Sequence, residues 1–566
     1  MQGFWRLKFR QLLTEIGCPV FGTAILVFAL VFVPPSETHA GGAPLCSQIF
    51  VEVKTIDARE TFTAADVEVR TAVEQNRAQV KALLSADEAL MAKLLAIRSA
   101  KQTLDISYYI FSRDKGGYLI LNEVKEAVKR GVTVRLMVDS VGSMHITHTE
   151  LLALIQMSQK EGMGKIEIVT INPWTTLPRA LARIGHMLTG RRSETVDSQV
   201  SLNNRSHDKI LLVDAATPEM LAIIGSRNIA DGYFGLNRDG REAFRDVELM
   251  IRPPAGEANT AISDVLQTYY NRLFSNYLNK ALAEKLYRFF RVDYTFEVDR
   301  MEKTYEEYVA QETVRNRLAE MQNQDFLKTG FEDSAAGLVH EIQNLTHDKE
   351  HFVQRWKYWR RQANPDSLMR SLKESILNAK KKVTIVSPYP LLGKRDIRML
   401  KIWLLKNPQA EFELIANSTA TNDSFVTQAV FDQYVAPALL KLKQDPAIGD
   451  RLRVYSYHGL DAQKPELKGN LLHAKIAIID GKDVLIGTSN FDPRSRIHNS
   501  EMGVWLDGAQ TVEQFQSYSN SLIAKSYSWG APEWHQAREK GWGKYQQILQ
   551  QYIYRLTEAL GGIHML

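Results

Sequence analysis

The sequence predicts an α/β protein of two similar α/β domains, joined by a helical segment and preceded by a membrane segment. Three observations carry that expectation. Helical stretches and β-branched runs alternate twice in the same order, a His-x-Lys-x4-Asp pattern closes each series, and an uncharged apolar run lies near the N-terminus. At 566 residues the chain is too long for one ordinary core. Its 45% hydrophobic and 24% charged residues are the balance of a folded globular protein and exclude a disordered one. A net charge of +5 is small for this length; it argues against a nucleic-acid binder held by bulk charge and suits anionic phosphate surfaces. Cys18 and Cys46 are the only cysteines, which leaves no disulfide framework and no cysteine-rich metal site.

Taken in order, Arg6, Lys8 and Arg10 precede the uncharged run from Ile16 to Val33, which Pro34 and Pro35 close. The run is at the lower edge of what spans a bilayer and longer than an ordinary signal core. No Lys or Arg follows until Lys54, so the positive-inside rule puts the N-terminus in the cytoplasm and the rest outside, periplasmic in a bacterium. Residues 1–40 are read as an uncleaved anchor. The alternative is a signal peptide cut before Gly41, giving a secreted protein. Residues 41–84 read as a connector with some helical character.

The first α/β domain is expected over residues 85–255. It comprises a helix (DEALMAKLLAIRSA), a strand (TLDISYYIF), a helix from Tyr118 to Arg130, the strand VTVRLMVDS, a helix near Glu150 to Gln159 and the strand KIEIVTI. Residues 256–360 read as a helical inter-domain segment whose aromatic stripe (Tyr269, Tyr270, Phe274, Tyr277, Phe289, Phe290) fits ordinary helix packing. The second domain, residues 361–510, repeats the order: SLMRSLKESILNAKK, KVTIVSPY, a helix through Met399 to Leu405, EFELIANS, a long helix from about Phe425 to Lys443, and RLRVYSYH. The period is roughly 270 residues. Residues 511–566, with Trp529, Trp534 and Trp542, read as a C-terminal helical segment packed on the second domain.

Each domain carries the same constellation. SHDKILLVD supplies His207, Lys209 and Asp214; LHAKIAIID supplies His473, Lys475 and Asp480. His and Lys two apart on a strand share a face. A glycine-led turn follows each, Gly225-Ser226-Arg227-Asn228 and Gly487-Thr488-Ser489-Asn490. A single His-x-Lys is weak evidence, but two copies with matching turns are hard to assign to chance. In-line displacement at phosphorus needs a nucleophile on one side and a proton donor on the other, and two imidazoles supply both near neutral pH. Lys209, Lys475, Asn228 and Asn490 are the candidate donors to the phosphate oxygens. Asp246 and Glu501, at matching places after the two motifs, are the candidate carboxylates that orient the imidazoles. Asp214 and Asp480 complete the candidate catalytic set. No metal or other cofactor is expected.

Two HxKxxxxD motifs with GSxN-type turns resemble the phospholipase D superfamily. GTSNFDPRSRIHNSEMG, GSRNIADGYFG and ISYYIF resemble its bacterial cardiolipin synthase branch, over roughly residues 85–510. The resemblance implies a pseudo-twofold pair of α/β/α sandwich domains with both motifs at their interface. It also implies ping-pong phosphatidyl transfer in which the N-terminal histidine attacks, so that His207 is the nucleophile and His473 the acid/base. This chain departs from the pattern in having ten residues between Asp214 and Gly225 against six between Asp480 and Gly487, and in reading GTSN at the second turn.

Substrate-binding candidates are Arg191, Arg192 and Arg205 just before the first motif, with the turn residues Ser226, Thr488 and Ser489. A solvated basic loop is an equal reading for the arginines. Asp208 should face away from the catalytic pair, and HEIQNLTHDKEH (residues 340–351) reads as a solvated helix face, not a metal site. The expected function is a phosphatidyltransferase acting on a phospholipid, with an alcohol as acceptor, at a membrane. No nucleic acid and no obligate protein partner is expected. The alternatives are a phospholipase D that uses water, an exported endonuclease, and a non-enzymatic membrane scaffold.

Overall fold

The computed structural model describes residues 76–559 except 140–141, 144–147, 172–204, 238–242, 255, 257–260, 277–278, 283–294, 324, 342–366, 460–469, 498 and 542–543. The expected anchor lies outside the described residues, among which no helix is long and apolar enough to cross a membrane. Tyr277, Phe289 and Phe290 also lie outside them.

The first half runs β1 (Asn76–Leu83), α1 (Ala86–Ser99), β2 (Thr103–Tyr108), α2 (Lys115–Lys129), β3 (Thr133–Asp139), α3 (His148–Ser158), β4 (Ile166–Ile171), β5 (Arg205–Ser206), β6 (Ile210–Val213), β7 (Leu221–Gly225), α4 (Asp231–Phe234), β8 (Phe244–Arg245) and β9 (Glu248–Arg252). Then come α5 (Ala261–Phe274), β10 (Asn279–Ala281), α6 (Thr295–Val309), α7 (Glu312–Asn323) and β11 (Glu332–Glu341). The second half has α8 (Leu368–Asn378), β12 (Lys382–Val386), α9 (Lys394–Lys406), β13 (Glu411–Asn417), α10 (Phe425–Val430), a π-helical turn (Phe431–Val435), α11 (Ala436–Lys443) and β14 (Leu452–Tyr457). It continues with β15 (Leu471–Leu472), β16 (Ile476–Ile479), β17 (Asp483–Gly487), α12 (Pro493–Ile497), β18 (Asn499–Leu506), α13 (Ala509–Ile523), β19 (Ser526–Ser528), α14 (Pro532–Gly541) and α15 (Lys544–Ala559). Local chemistry starts the matched helices. Ser85 caps α1 by accepting from the Glu88 amide at 3.2 Å, and Asp114 caps α2 by accepting from the Gly117 amide at 3.0 Å.

The longer strands form one hydrogen-bonded array, β10-β4-β3-β2-β6-β7-β9-β1-β11-β18-β17-β16-β12-β13-β14-β19. Read outward from the antiparallel β1–β11 pair, the two halves match strand for strand, and β2-β3-β4 and β12-β13-β14 are the parallel ladders of each. This is the pseudo-twofold arrangement. Helices cover both faces. α1 and α2 build the first half's core, α8, α9 and α11 the second's. The counterparts α5 and α13 fill a cluster shared by both halves, with Tyr269, Tyr270, Phe515 and Leu522 buried in it.

Two expectations are corrected at the centre of this array. The connector 41–84 contains β1, and the helical segment 256–360 contains the ten-residue strand β11. In β1, Ala78 and Val80 point to the core while Arg77 and Gln79 do not, a period of two that the connector reading missed. β11 is the strand that ties the halves, pairing β1 on one side and β18 on the other. His340 and Glu341 lie on it and are buried, so they are not part of a solvated helix face. α6 and α7 are helical as expected and lie against the first half, where Glu297 meets Arg113 at 3.3 Å and Arg317 meets Asp87 at 3.0 Å. α15 packs on α10, with Gln550 donating to Asp432 at 2.8 Å.

Candidate active site

The two histidines are placed by short strands that cross between the halves. β5 pairs in parallel with β18, setting Ser206 opposite Ser500, and β15 pairs in parallel with β8, setting Leu472 opposite Arg245. The next amides continue the register: His207 N donates to Ser500 O at 2.9 Å and His473 N to Arg245 O at 2.8 Å. Each histidine is thereby laid beside the carboxylate that follows the other copy's motif. His207 Nδ1 lies 2.9 Å from Glu501, and His473 Nδ1 lies 2.6 Å from Asp246. The orienting carboxylates are thus exchanged between the halves.

A side chain at the end of the second strand of each parallel ladder steadies these short strands. Asn417 bonds both ways with Leu472, donating to its carbonyl at 2.8 Å and accepting from its amide at 3.0 Å. The matching residue is Asp139, which accepts from the Ser206 amide at 3.3 Å and faces the Arg205 guanidinium at 3.6 Å. A carboxylate cannot donate as Asn417 does, and the Arg205 charge offsets its burial. Arg205 is therefore a buried partner of Asp139, not an exposed headgroup contact.

The carboxylates are fully buried and held by several donors. Glu501 accepts from Thr488 Oγ1 at 2.6 Å and from Asn499 Nδ2 at 3.0 Å. Asp246 accepts from Ser226 Oγ and from the Val247 amide at 3.0 Å. The turn hydroxyls of Ser226 and Thr488 are thus corrected from substrate contacts to groups that fix the carboxylates. Ser489 Oγ accepts from the Phe491 amide at 3.2 Å and is also a turn-builder. Glycine leads both turns because a Cβ at Gly225 would stand 2.5 Å from Val247 O, and one at Gly487 2.6 Å from Met502 O.

Burial drives both imidazoles to the neutral form, lowering His207 to about 4 and His473 to about 3, the latter with help from Lys475. Burial opposes ionisation of the carboxylates, but the facing histidine and the adjacent lysine outweigh it. Glu501 is held at about 2 and Asp246 well below the ordinary carboxylate range. An ionised carboxylate facing Nδ1 of a neutral ring fixes the proton on Nδ1, which leaves the Nε2 lone pair for chemistry. Burial also lowers Lys209 to about 8 and Lys475 to about 7, with Glu501 and Asp246 pulling both back up. Each lysine thus feels the carboxylates of both halves, which makes the two motifs one electrostatic cluster. Lys209 donates to the His207 carbonyl at 2.7 Å; Lys475 lies 3.0 Å from both ring nitrogens of His473. Tyr109 sets its edge against His207 at 5.1 Å, and Tyr233 and Phe244 flank His473 at 5.3 and 5.8 Å. These aromatic walls were not among the sequence candidates, although Tyr109 lies in the quoted ISYYIF.

The remaining candidates are distributed as follows. Asn228 donates to Tyr233 Oη at 3.0 Å and accepts from the Ile110 amide at 3.2 Å, so its amide holds a wall of the site. Asn490 Oδ1 is buried and has no partner among the described residues. Asp208 faces away as expected, bonded to Tyr269, Ser206 and Ser500. Arg191 and Arg192 lie outside the described residues. Asp214 and Asp480 are corrected. Asp214 accepts from the amides of Lys101, Gln102 and Thr103 at 2.9, 2.7 and 2.9 Å, and Asp480 does the same for Lys380, Lys381 and Lys382 at 2.8, 2.7 and 2.9 Å. Both sit at positive φ, 47° and 54°, which aspartate tolerates. They clamp the start of β2 and β12, at the opposite end of β6 and β16 from the histidines. Asp214→Ala is expected to cost about 2–4 kcal/mol by orphaning these amides and straining φ. Urea unfolding measures that loss, while kcat per folded molecule should stay within about threefold; a large kcat loss at full stability would return Asp214 to the catalytic set.

The site is a duplicated His-Lys pair with exchanged carboxylates at the interface of two matched α/β halves. The family profile described as cardiolipin synthase, PLD-like domain, matches residues 94–248 and 372–523, more than half of the chain. The chain belongs to the phospholipase D superfamily, in its cardiolipin synthase-like branch. It is similar to cardiolipin synthase C of Escherichia coli K12, with 25% identity over 456 residues, covering 79% of this chain and 86% of that protein. It is also 22% identical over 471 residues to the probable cardiolipin synthase YwiE of Bacillus subtilis 168, covering 83% and 71%. A solved phosphatidylserine synthase from Haemophilus influenzae matches with a TM-score of 0.57 at 14% identity, covering 87% of this chain and 97% of that one, a likeness of fold. As a member of this branch the chain is a phospholipid-modifying enzyme of phospholipase D type.

Proposed function

We propose that this enzyme transfers a phosphatidyl group through a phosphohistidine to an alcohol, as a cardiolipin synthase does. The observation that carries the reading is the pair of exchanged carboxylate–Nδ1 contacts, which prepare two Nε2 atoms for complementary roles. His207 Nε2 attacks the donor phosphorus, and a P–N bond forms as the P–O bond to the departing alcohol breaks. His473 gives its proton to the leaving oxygen, then takes one from the acceptor hydroxyl. The acceptor oxygen attacks phosphorus and the P–N bond breaks, restoring His207. An anionic phosphodiester in the cleft raises the pKa of His473 and lets it carry that proton. The attack is given to His207 because the resemblance to the family places the nucleophile on the N-terminal motif. Phosphatidylglycerol or glycerol is the proposed acceptor, at a membrane, on the periplasmic side.

The test is the purified full chain in vesicles of labelled phosphatidylglycerol and phosphatidylethanolamine, with products resolved by mass spectrometry. Cardiolipin is the expected product. Phosphatidic acid alone would make the enzyme a hydrolase, and nucleotide release from DNA without lipid turnover would remove the lipid assignment.

The same site sets a pH profile. Burial lowers Lys475, so its cation is present below about 7 and lost above. His207 keeps its Nε2 lone pair above about 4. At saturating substrate, where the bound phosphodiester keeps His473 protonated, kcat is therefore expected to form a bell with its acid limb at or above about 4 and its alkaline limb at or above about 7. Lys475→Arg should carry the alkaline limb upward. An alkaline limb at the same pH in that variant would show that another group titrates there.

A further inference from the structure

α12 carries a cation that the catalytic cluster does not use. The short helix is folded against the second turn, with the Asn490 backbone amide donating to Ser495 Oγ at 3.2 Å and the Ser495 amide to Asp492 at 2.6 Å. Arg494, four residues after Asn490, reaches from this helix to the His207 side of the cleft. Burial raises the Tyr109 hydroxyl, and the Arg494 guanidinium beside it pulls it back down. The Tyr109 ring meets His207 edge-on at 5.1 Å and lies 5.7 Å from the Lys209 ammonium. Arg494 is therefore one aromatic ring away from the His207 imidazole.

No acid among the described residues forms an ion pair with this cation, and its Nε is buried with no hydrogen-bond partner. Asp492, which feels the guanidinium, is raised to about 7 by burial. A guanidinium beside a neutral hydroxyl keeps donors for an anion from outside. The duplication shows that the cation is one-sided. Counted from Asn228 and Asn490, the first half's counterpart of Arg494 is Gly232, where a Cβ would stand 3.2 Å from the Phe244 ring. Near His473 the loop after β13 supplies a carboxylate instead, Asp423, whose charge both Lys475 and Tyr233 feel. Catalytic histidine, lysine and asparagine occur once in each half, and this arginine in one half alone.

We propose that Arg494 is a specificity-determining residue that holds a second phosphate, the acceptor's own, while the acceptor hydroxyl attacks the phosphorus on His207. The proposal rests on the lipid-transfer reading above. The reacting phosphate lies between the two halves and meets donors that come in pairs. A donor present once addresses a part of the substrate that lies to one side. A guanidinium grips two phosphate oxygens at once. An acceptor that is itself a phosphodiester, as phosphatidylglycerol is, carries such a group a few bonds from its hydroxyl, and glycerol and water carry none. Asp423 turns the second anion away from the His473 side.

A competition on the full chain tests it. The donor is the p-nitrophenyl ester of a short-chain phosphatidic acid, and glycerol and glycerophosphoglycerol are offered together as soluble acceptors. Mass spectrometry of the two products gives the ratio of their kcat/KM values. Wild type should prefer glycerophosphoglycerol, and Arg494→Gln should lower that preference at least about tenfold, the size of a lost hydrogen bond to a charged group. Each ratio is taken within one preparation, so a loss of folded protein cancels. Arg494→Lys keeps the cation and should regain at least about threefold of the preference. A wild type without preference, equal loss on both acceptors in Arg494→Gln, or no gain in Arg494→Lys overturns the proposal and leaves the transfer reading standing. If wild type gives neither transfer product, the functional reading fails and takes the proposal with it.

Discussion

His207→Ala is expected to lower turnover by about 10⁴-fold or more, because it removes the group that forms the covalent intermediate. His473→Ala should cost about 10²–10⁴-fold through lost proton transfer. The two variants are told apart with a donor whose leaving group needs no proton, such as a p-nitrophenyl phosphodiester. His473→Ala should then accumulate an acid-labile phosphoramidate on the peptide containing His207, found by mass spectrometry under alkaline handling. His207→Ala should give no adduct. An adduct on the His473 peptide would reverse the two roles and leave the reaction class intact.

The second large effect comes from the exchanged carboxylates. Asp246→Asn keeps the shape, but its amide can donate to Nδ1 of His473, which moves the ring proton to Nε2 and blocks proton uptake there. A loss of about 10²–10⁴-fold is expected, as for the same change behind a catalytic histidine elsewhere. Glu501→Gln should act likewise on His207. The exchange makes a sharper forecast than the losses alone. With the activated donor, Glu501→Gln should suppress the His207 adduct although Glu501 belongs to the second copy, and Asp246→Asn should permit the adduct and slow its breakdown. The opposite pattern would refute the cross-half pairing of His207 with Glu501 and His473 with Asp246.

Much of this was legible in the sequence, and the reason is local. The helix DEALMAKLLAIRSA and the strands TLDISYY and EFELIANS are set by side-chain period and caps within a few residues, and they occur within a few positions of the expected bounds. The histidines and lysines were found because the motif is contiguous and doubled. β1 and β11 were not read as strands. β1 (NRAQVKAL) has Val80 as its one β-branched residue and otherwise carries little strand propensity, and β11 begins with charged and small residues (EDSAAG) that carry as little. Only pairing with β9, β18 and each other makes them the centre of the array.

The role of Asp214 shows the limit of a motif. Its spacing from His207 suggests a catalytic partner, yet four residues of β6 carry it to the far end of the strand, where three backbone amides need an acceptor. The turn hydroxyls of Ser226 and Thr488 were read toward substrate for the same reason: their neighbours come from Asp246 and Glu501, which no local pattern places against them.

Residue pattern alone was enough for the α/β class, the duplication, the two His-Lys pairs and the identity of the orienting carboxylates. Which carboxylate serves which histidine, that Asp214 and Asp480 clamp strands, and that β1 and β11 join the halves came from the fold. Period and capping act between near neighbours and are written in consecutive residues. The exchange depends on β5 meeting β18 and β15 meeting β8, registers between segments more than two hundred residues apart that are fixed by burying both halves' strands in one core.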